Sequence, residues 1–532
     1  MPTVTAMILL PLLAALTLAV PGFSPVGARV TALIATALTA VMAVSLTVRL
    51  DRDAAGLQFV DQHGWASEVG LQWAVGVDGI SIWLVLMTAA LFLLAVIAVA
   101  WRPPEREIGF LAALLAGEAA LLGLFAAADL VVFYLFWEAM LIPFFFLIGM
   151  WGGRGRGPAT AKFVIYTVAG SLPMLVAILA TAYIADDITG QFTFTISELR
   201  GVEFSETQST WLFAAFALAF AIKVPVWPLH GWLPDAYRAA PLVITGLLAA
   251  VMSKAGVYGL IRVGLPTFPD GAENFAIPLS VLALVGILYG SLVAWRSPTM
   301  RMLVGYSSLA HLGFIVLGIM AFDLQAGQGA VLQMVNHGLV VAATFAIVGM
   351  INRGTAGDRI DRIGGLAAGA PRLATVFLIV AMAALAIPGS NAFVGEFFIL
   401  TGVFRHHVWL AVLATIGIVL AAVYMLRLYQ STMNGPPFGA NIRATEMRWV
   451  DYVVLGPIVA AMLVIALWPA SIVDSTRAPV AQAIAPAQIA AERPLDQIER
   501  PVVPNPPSYV QPLPGDEPQS DEGDPSQGET AP

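Results

Sequence analysis

The chain has no cysteine among its 532 residues. That excludes disulfides, and it excludes iron–sulfur or zinc sites held by thiolates of this chain. No glycine-rich phosphate loop stands between a strand and a helix, so that form of nucleotide chemistry is absent too. Lysine is nearly missing: Lys162, Lys223 and Lys254 are all there is. Charged residues of every kind make up 11% of the sequence and hydrophobic ones 59%, where an ordinary soluble domain carries about 25% charged residues. Such a chain belongs in a bilayer. No basic residue precedes the first apolar run, at about 3–20, so it lacks the charged start of a signal peptide and reads as a retained span. The net charge of −8 gathers much of its acid in the C-terminal tail and says little about partners. Nothing points to nucleic acid, and any redox chemistry has to happen in another protein.

What is present is a succession of apolar runs, each of about 20 residues and long enough to span a bilayer as a helix. They predict an all-α polytopic membrane protein of about 14 transmembrane helices. A polar loop at about 49–78 carries Asp51, Asp53, Asp61 and Glu68, and Asp129 falls at a wetted span boundary. Arginine and lysine concentrate in the odd-numbered loops, including Arg353, Arg359, Arg362 and Arg372, which places those loops in the cytoplasm and both termini outside. Trp101, Trp151 and Trp468 near span ends fit interfacial belts.

Two blocks of five spans have similar length, at about 108–264 and 275–431, and each has a proline-broken helix as its fourth member. Five is odd, so consecutive blocks run in opposite senses: two inverted five-helix repeats, a transporter pattern. A three-helix segment (about 1–107) precedes them. A loop and final span (about 432–470) follow, and then a tail (about 471–532) rich in Pro, Gln, Glu and Asp. That composition buries too little apolar surface to offset ordering entropy, so disorder is expected there.

Charges inside the spans carry the chemistry. A charged side chain at mid-bilayer costs roughly 2.5–3.5 kcal/mol on insertion scales, so it rarely stands there without a role. Lys223 sits just ahead of Pro225 and Pro228, and Lys254 lies mid-way along the next span. Glu138 lies in FYLFWEAMLIP, His311 in YSSLAHLGF, His337 in QMVNHGL, and Glu396 after the break at Ile387-Pro388-Gly389. These six groups predict a proton relay. Burial and the approach or withdrawal of an opposite charge move a lysine or glutamate proton affinity in opposite directions, and histidine passes protons through either ring nitrogen. In this reading Glu138 gates Lys223, the proton passes Lys254 and the two histidines, and Glu396 delivers it outward. Other ionisable residues carry less. His230 in PLHGW could line an intake path or cap a helix. His406 and His407 are two adjacent side chains, too few for a metal site, and no metal is expected. Glu118 could be an added relay member, a partner for a neighbouring subunit, or structural.

The stretches IKVPVWPLHGWLPDAY, SKAGVYGLIR, YSSLAHLGF, QMVNHGL and IPGSNAFVGEFFIL resemble the antiporter-like membrane subunits of respiratory complex I, over about residues 70–470. The acid at Glu396 sets this chain apart from sister subunits and from sodium–proton antiporter subunits, which usually carry lysine there. The resemblance implies that Glu138 and Lys223 form a gating pair, that Lys254, His311 and His337 continue a midplane axis, and that Glu396 closes the outlet half. It implies a chain without cofactors. NADH, FMN, iron–sulfur clusters and quinone would belong to partner subunits, which would include two related antiporter-like chains in a cell membrane. Tyr237 and Ala239 stand where the family often has histidine and glutamate, and Thr299 where aspartate is common. A sodium–proton antiporter subunit and the membrane arm of a proton-pumping hydrogenase are the rival readings.

Overall fold

Apolar runs become helices, and glycine, proline or a capping side chain ends them. A computed structural model describes residues 3–66, 70–355, 357–436 and 445–493. Helix α1 (Thr3–Ala19) is followed by α2 (Pro25–Arg49), which starts where Ser24 accepts the Gly27 amide at 3.0 Å with proline at the first helical position. Helices α3 (Ser81–Trp101) and α4 (Glu107–Ala126) come next. Then α5 (Leu130–Ala139) and α6 (Leu141–Trp151) meet at Met140 and form one interrupted span. Pro143 has no N–H to give to the turn before it, so the kink falls beside Glu138. Helix α7 (Arg156–Thr189) and the short α8 (Ile196–Leu199) lead to α9 (Glu206–Lys223), which opens with a capping box between Ser205 and Gln208.

Helix α9 stops at Lys223. A 3-10 turn over Leu229–Trp232 and α10 (Leu233–Ala239) complete this interrupted span. The next runs through α11 (Leu242–Leu247), α12 (Lys254–Gly259) and α13 (Leu265–Thr267), with π-helical turns at Leu248–Met252 and Leu260–Gly264 on either side of α12. After α14 (Pro269–Asn274) come α15 (Ala276–Arg296), α16 (Met300–Met320) and α17 (Leu324–Ile351). Helices α18 (Pro371–Ala384) and α19 (Asn391–His406) are separated by the proline–glycine break. Helices α20 (Val408–Met433), α21 (Trp449–Leu467) and α22 (Ala470–Glu492) finish the described chain. Among the described residues eleven helices are long and apolar enough to cross a membrane, and α1 and α18 are shorter apolar helices.

Burial is arranged by charge. The span of α11–α13 and helices α16 and α17 are almost wholly enclosed, and these carry Lys254, His311 and His337. The outer helices expose apolar faces: Val30, Ile34, Leu38 and Val41 on α2, and Ile165, Leu172 and Val176 on α7. In a bilayer those faces meet lipid.

Three expectations are corrected. The polar loop at 49–78 contains an antiparallel hairpin, β1 (Gln58–Ala66) with β2 (Leu71–Val77), in a register that sets His63 opposite Trp73; Glu68 lies outside the described residues. The last face residues of β2 are buried against α4 and α5, which holds the hairpin on the bundle. The tail is not irregular from 471: Ala470–Glu492 is helical, with Ile472, Thr476, Val480, Ala483 and Ala487 recurring at helical spacing on its buried side. The rest of the expected tail, from 494, lies outside the described residues. Asp129 is fully buried rather than wetted, because its carboxylate caps α5, accepting the Val131 and Val132 amides at 2.8 and 3.2 Å.

One buried ion pair ties the bundle together. Asp78 is fully buried, and its Oδ2 lies 2.7 Å from Arg262 Nη1 across 184 residues. Its Oδ1 accepts the Ile80 and Ser81 amides at 3.0 and 2.9 Å at the start of α3. Removing one member strands the other charge, a loss of about 3–5 kcal/mol, whereas replacing both by apolar residues is often close to neutral. Asp78→Ala is therefore expected to reduce the folded, membrane-assembled protein sharply and raise its protease sensitivity. The double variant Asp78→Leu/Arg262→Met is expected to recover most of the loss, as read by thermal unfolding of the purified assembly.

Candidate functional site

Five of the six ionisable residues singled out by sequence are buried, none exposed by more than 7%, and four of those touch in sequence along the interior. Lys254 Nζ lies 2.6 Å from His337 Nδ1. The rings of His337 and His311 follow with centroids 5.6 Å apart and planes inclined by 37°. His311 Nδ1 lies 2.9 Å from Glu396 Oε1. Each comes from a different element: α12, α17, α16 and α19.

Local backbone makes each position possible. The π-helical turn before Lys254 widens the helix, and Ser253 donates its amide to Leu248 across five residues. The Ala249 carbonyl is left to side chains. It accepts from Lys254 Nζ at 2.6 Å and from Ser253 Oγ at 2.7 Å. Such turns concentrate at functional positions. Glu396 stands in the second turn of α19, just past the break, and Gln333 Nε2 donates to the same Oε1 at 3.0 Å. The break is pinned by reciprocal amides: Asn336 Nδ2 donates to the Asn391 carbonyl at 2.7 Å, and Asn391 Nδ2 donates to Asn336 Oδ1 at 3.0 Å.

Hydrogen-bonding capacity restricts protonation. A charged ammonium has donors only, and so does a charged imidazolium. Two nitrogens at 2.6 Å cannot both be charged, so Lys254 and His337 carry at most one positive charge between them. Glu396 Oε1 accepts from both Gln333 and His311, which calls for the proton on His311 Nδ1. His337 Nε2 is buried without a hydrogen-bond partner, and both histidine rings line a small cavity with Ser307 and Thr344.

Lys223 and Glu138 stand apart from this line. Lys223 ends α9, where helix-terminal carbonyls present negative partial charge to a cation. Its Nζ has no hydrogen-bond partner and lies 4.9 Å from the centroid of the Trp137 ring. Trp232 Nε1 satisfies the freed Ile222 carbonyl at 2.8 Å. Glu138 is half-buried at the kink between α5 and α6 and borders an apolar groove with Tyr134, Ile142 and Phe145. Among the described residues its Oε1 has no hydrogen-bond partner, and it is not in ion-pair contact with Lys223. The expected gating pair is thus adjacent in the chain order of the site but not closed.

Several participants were not singled out from sequence. Gln333, Asn336 and Asn391 are neutral, and only their place within long apolar runs could have flagged them. Asp78 and Arg262 looked like loop and span-end residues. Among the lesser candidates, buried His230 packs on Tyr289 at a ring distance of 5.2 Å, and Lys162 pairs with Asp235 at 2.8 Å. His406 Nε2 faces Asp323 at 3.5 Å.

Residues 127–421 match the family described as NADH:quinone oxidoreductase/Mrp antiporter, transmembrane. NADH-quinone oxidoreductase subunit M of Rhodobacter capsulatus is 40% identical over 478 residues, covering 87% of this chain and 93% of the relative. The chain belongs to the subunit M family. Its Mycobacterium tuberculosis relative is 34% identical over 83% of this chain and 86% of that one. A chain of respiratory complex I from Thermus thermophilus superposes with a TM-score of 0.83 at 30% identity, covering 92% of this chain and 99% of that chain. A chain of the Mrp complex from Dietzia shares the fold at a TM-score of 0.79 and 20% identity, covering 92% of this chain and all of that one.

Within this subunit M chain, a Cβ on Gly395 would meet Gln333 Oε1 at 2.6 Å. Gly395→Ala is expected to push the amide off Glu396 and remove a hydrogen bond to a charged group, worth about 1.5–3 kcal/mol. The expected outcome is a shifted carboxylate band in infrared difference spectra and slower proton pumping in inverted membrane vesicles.

Proposed function

We propose that the chain translocates protons as a membrane-arm subunit of an NADH–quinone oxidoreductase, with Lys254, His337, His311 and Glu396 as the conducting line and Glu138 and Lys223 as its gate. The observation that carries this reading is the succession of contacts from Lys254 Nζ to Glu396 within an apolar interior. Electron transfer from NADH to quinone, with its flavin and iron–sulfur centres, belongs to partner subunits, and two related antiporter-like chains stand beside this one in the cell membrane.

The finer architecture follows the same reading. Eleven long helices, α1, and the interrupted spans α9–α10 and α18–α19 make fourteen crossings. Spans α4 to α13 and α15 to α20 form two blocks of five, and in each the fourth member is parted by a non-helical stretch, 224–228 in one and 385–390 in the other. Five crossings reverse the sense of the second block, and the arginine bias sets both termini outside.

The gate works by electrostatics. While Glu138 is not in contact, the Trp137 face, the end of α9 and the through-space field of Glu138 stabilise the Lys223 charge. Carboxylate approach to about 4 Å supplies about 4 kcal/mol at an effective dielectric of 20. Moving one proton against 100 mV needs about 2.3 kcal/mol. One closure and opening of the pair is therefore enough to load Lys223 and then drive its proton on. Lys254 accepts it and passes one to His337, which passes one to His311, and at no step are Lys254 and His337 charged together, as the nitrogen spacing requires. His311 then protonates Glu396, which releases on the outer side.

Lys223→Ala is expected to abolish proton pumping in membrane vesicles while the protein still inserts and the complex assembles. Pumping at the normal rate in that variant, measured by quenching of a pH-sensitive dye, refutes the relay.

A further inference from the structure

One buried acid has no place in this line. Glu118, at the start of the fourth turn of α4, is fully buried, and neither of its carboxyl oxygens has a hydrogen-bond partner among the described residues. Ionised, such a group would carry an uncompensated charge in a low-dielectric interior, which is far costlier than taking up a proton. It therefore rests as the neutral acid, a proton held in the bundle. Packing alone gives no reason for it, because α4 is otherwise apolar from Phe110 to Ala126 apart from its glycines.

Its orientation can be built from neighbours. Glu118, Leu122 and Phe125 recur at four- and three-residue spacing, so they share one face of α4. Phe125 on that face meets Tyr258 edge-on at 5.4 Å, and its carbonyl accepts the Tyr258 hydroxyl at 2.9 Å. Tyr258 lies one turn beyond Lys254 on α12. The two spans run the same way. Their ends converge where Ala127 bridges to Val75 and Arg262 reaches Asp78, and their starts where Trp151 Nε1 bonds the Glu105 carbonyl and the Gly153 amide bonds that of Ala239. Counting back seven residues on α4 and four on α12 at about 1.5 Å each leaves Glu118 roughly 4–5 Å along the axis on the starting side of Lys254. That side is the arginine-rich, cytoplasmic one. The other titratable side chains on elements packed against α4 are Arg29 and Arg49 of α2, Tyr134 and Glu138 of α5, and Tyr258 of α12, and Arg29 is paired with Glu107 at the start of α4.

We propose that Glu118 is a further proton-donating residue of this chain, a side reservoir that recharges Lys254; this rests on the relay reading above. When Lys254 has given its proton to His337, the Glu118 carboxyl loses a proton and the Lys254 amine gains one. A carboxylate and an ammonium result, and their attraction holds the charge until the cytoplasmic side reprotonates Glu118. No other co-reactant is needed, and the net charge of the pair is unchanged.

The test uses the intact complex in inverted vesicles with three variants. Glu118→Gln keeps the shape but cannot carry the proton, and Glu118→Leu removes polarity altogether, which a structural role would tolerate or welcome. Both are expected to lower pumping several-fold while NADH oxidation by the uncoupled membranes persists, with Glu118→Asp partly restoring it. Infrared difference spectra are expected to lose a protonated-carboxyl band in Glu118→Gln. Wild-type pumping and an unchanged carboxyl band in the Gln and Leu variants overturn the inference. Lys223→Ala run beside them separates the two ideas: if it alone stops pumping, the relay stands and the reservoir falls; if it too pumps normally, the relay itself fails.

Discussion

Two nitrogens held 2.6 Å apart inside an apolar bundle set the terms for the rest of this molecule. Lys254 and His337 cannot both be charged, and neither can reach bulk water. The contact therefore carries at most one positive charge, and in the proposed relay it is where a proton changes owner without either group leaving the interior. Everything nearby serves that restriction. The widened turn before Lys254 frees the Ala249 carbonyl to accept from the amine, so an ammonium there is hydrogen-bonded rather than bare. On the far side the His311–Glu396 contact offers the acceptor that a proton leaving the histidines requires.

Helix interruptions supply most of the remaining polarity. Lys223 ends α9 and Glu396 follows the start of α19, so each charge sits by a half-helix end rather than mid-helix. A C-terminal end presents partial negative charge and an N-terminal end partial positive charge, which suits a lysine at the first and a carboxylate near the second. Proline makes these ends; Trp232 meets the freed Ile222 carbonyl at one break, and the Asn336–Asn391 side-chain pair ties the other break to α17. The Asp78–Arg262 pair plays a different part. It locks the start of α3 to the end of the Lys254 span, so that the widened turns around α12 do not loosen the bundle.

How much of this the sequence reveals depends on contrast. Lys223, Lys254, His311, His337 and Glu396 stand out because each interrupts a long apolar run, and Pro225, Pro228 and Pro388 announce the breaks. The family resemblance rests on the same stretches. Gln333 and Asn336 carry no charge and vanish among their neighbours. The π-helical turns leave no mark in a glycine- and alanine-rich segment. The partnership of Asp78 with Arg262 joins residues 184 apart, which no local pattern encodes. The hairpin and α22 were missed for a third reason. Polar composition hid the strand alternation in one, and Pro479 and Pro486 hid a helical period in the other, although Ile472, Thr476, Val480 and Ala483 keep that period.

A scaffold explanation for the polar line fails on energetics. Replacing a buried ionic network by apolar residues of similar size is commonly neutral or stabilising by about 1–4 kcal/mol. A bundle that needed only to stand in lipid would gain by exchanging Lys254, His337, His311 and Glu396 for leucine and phenylalanine. These four come from four separate helices and meet only when all four are in place. A contact network of that kind is a poor device for stability alone, and in the proposed relay the spacing of its members lets protons move along it one at a time.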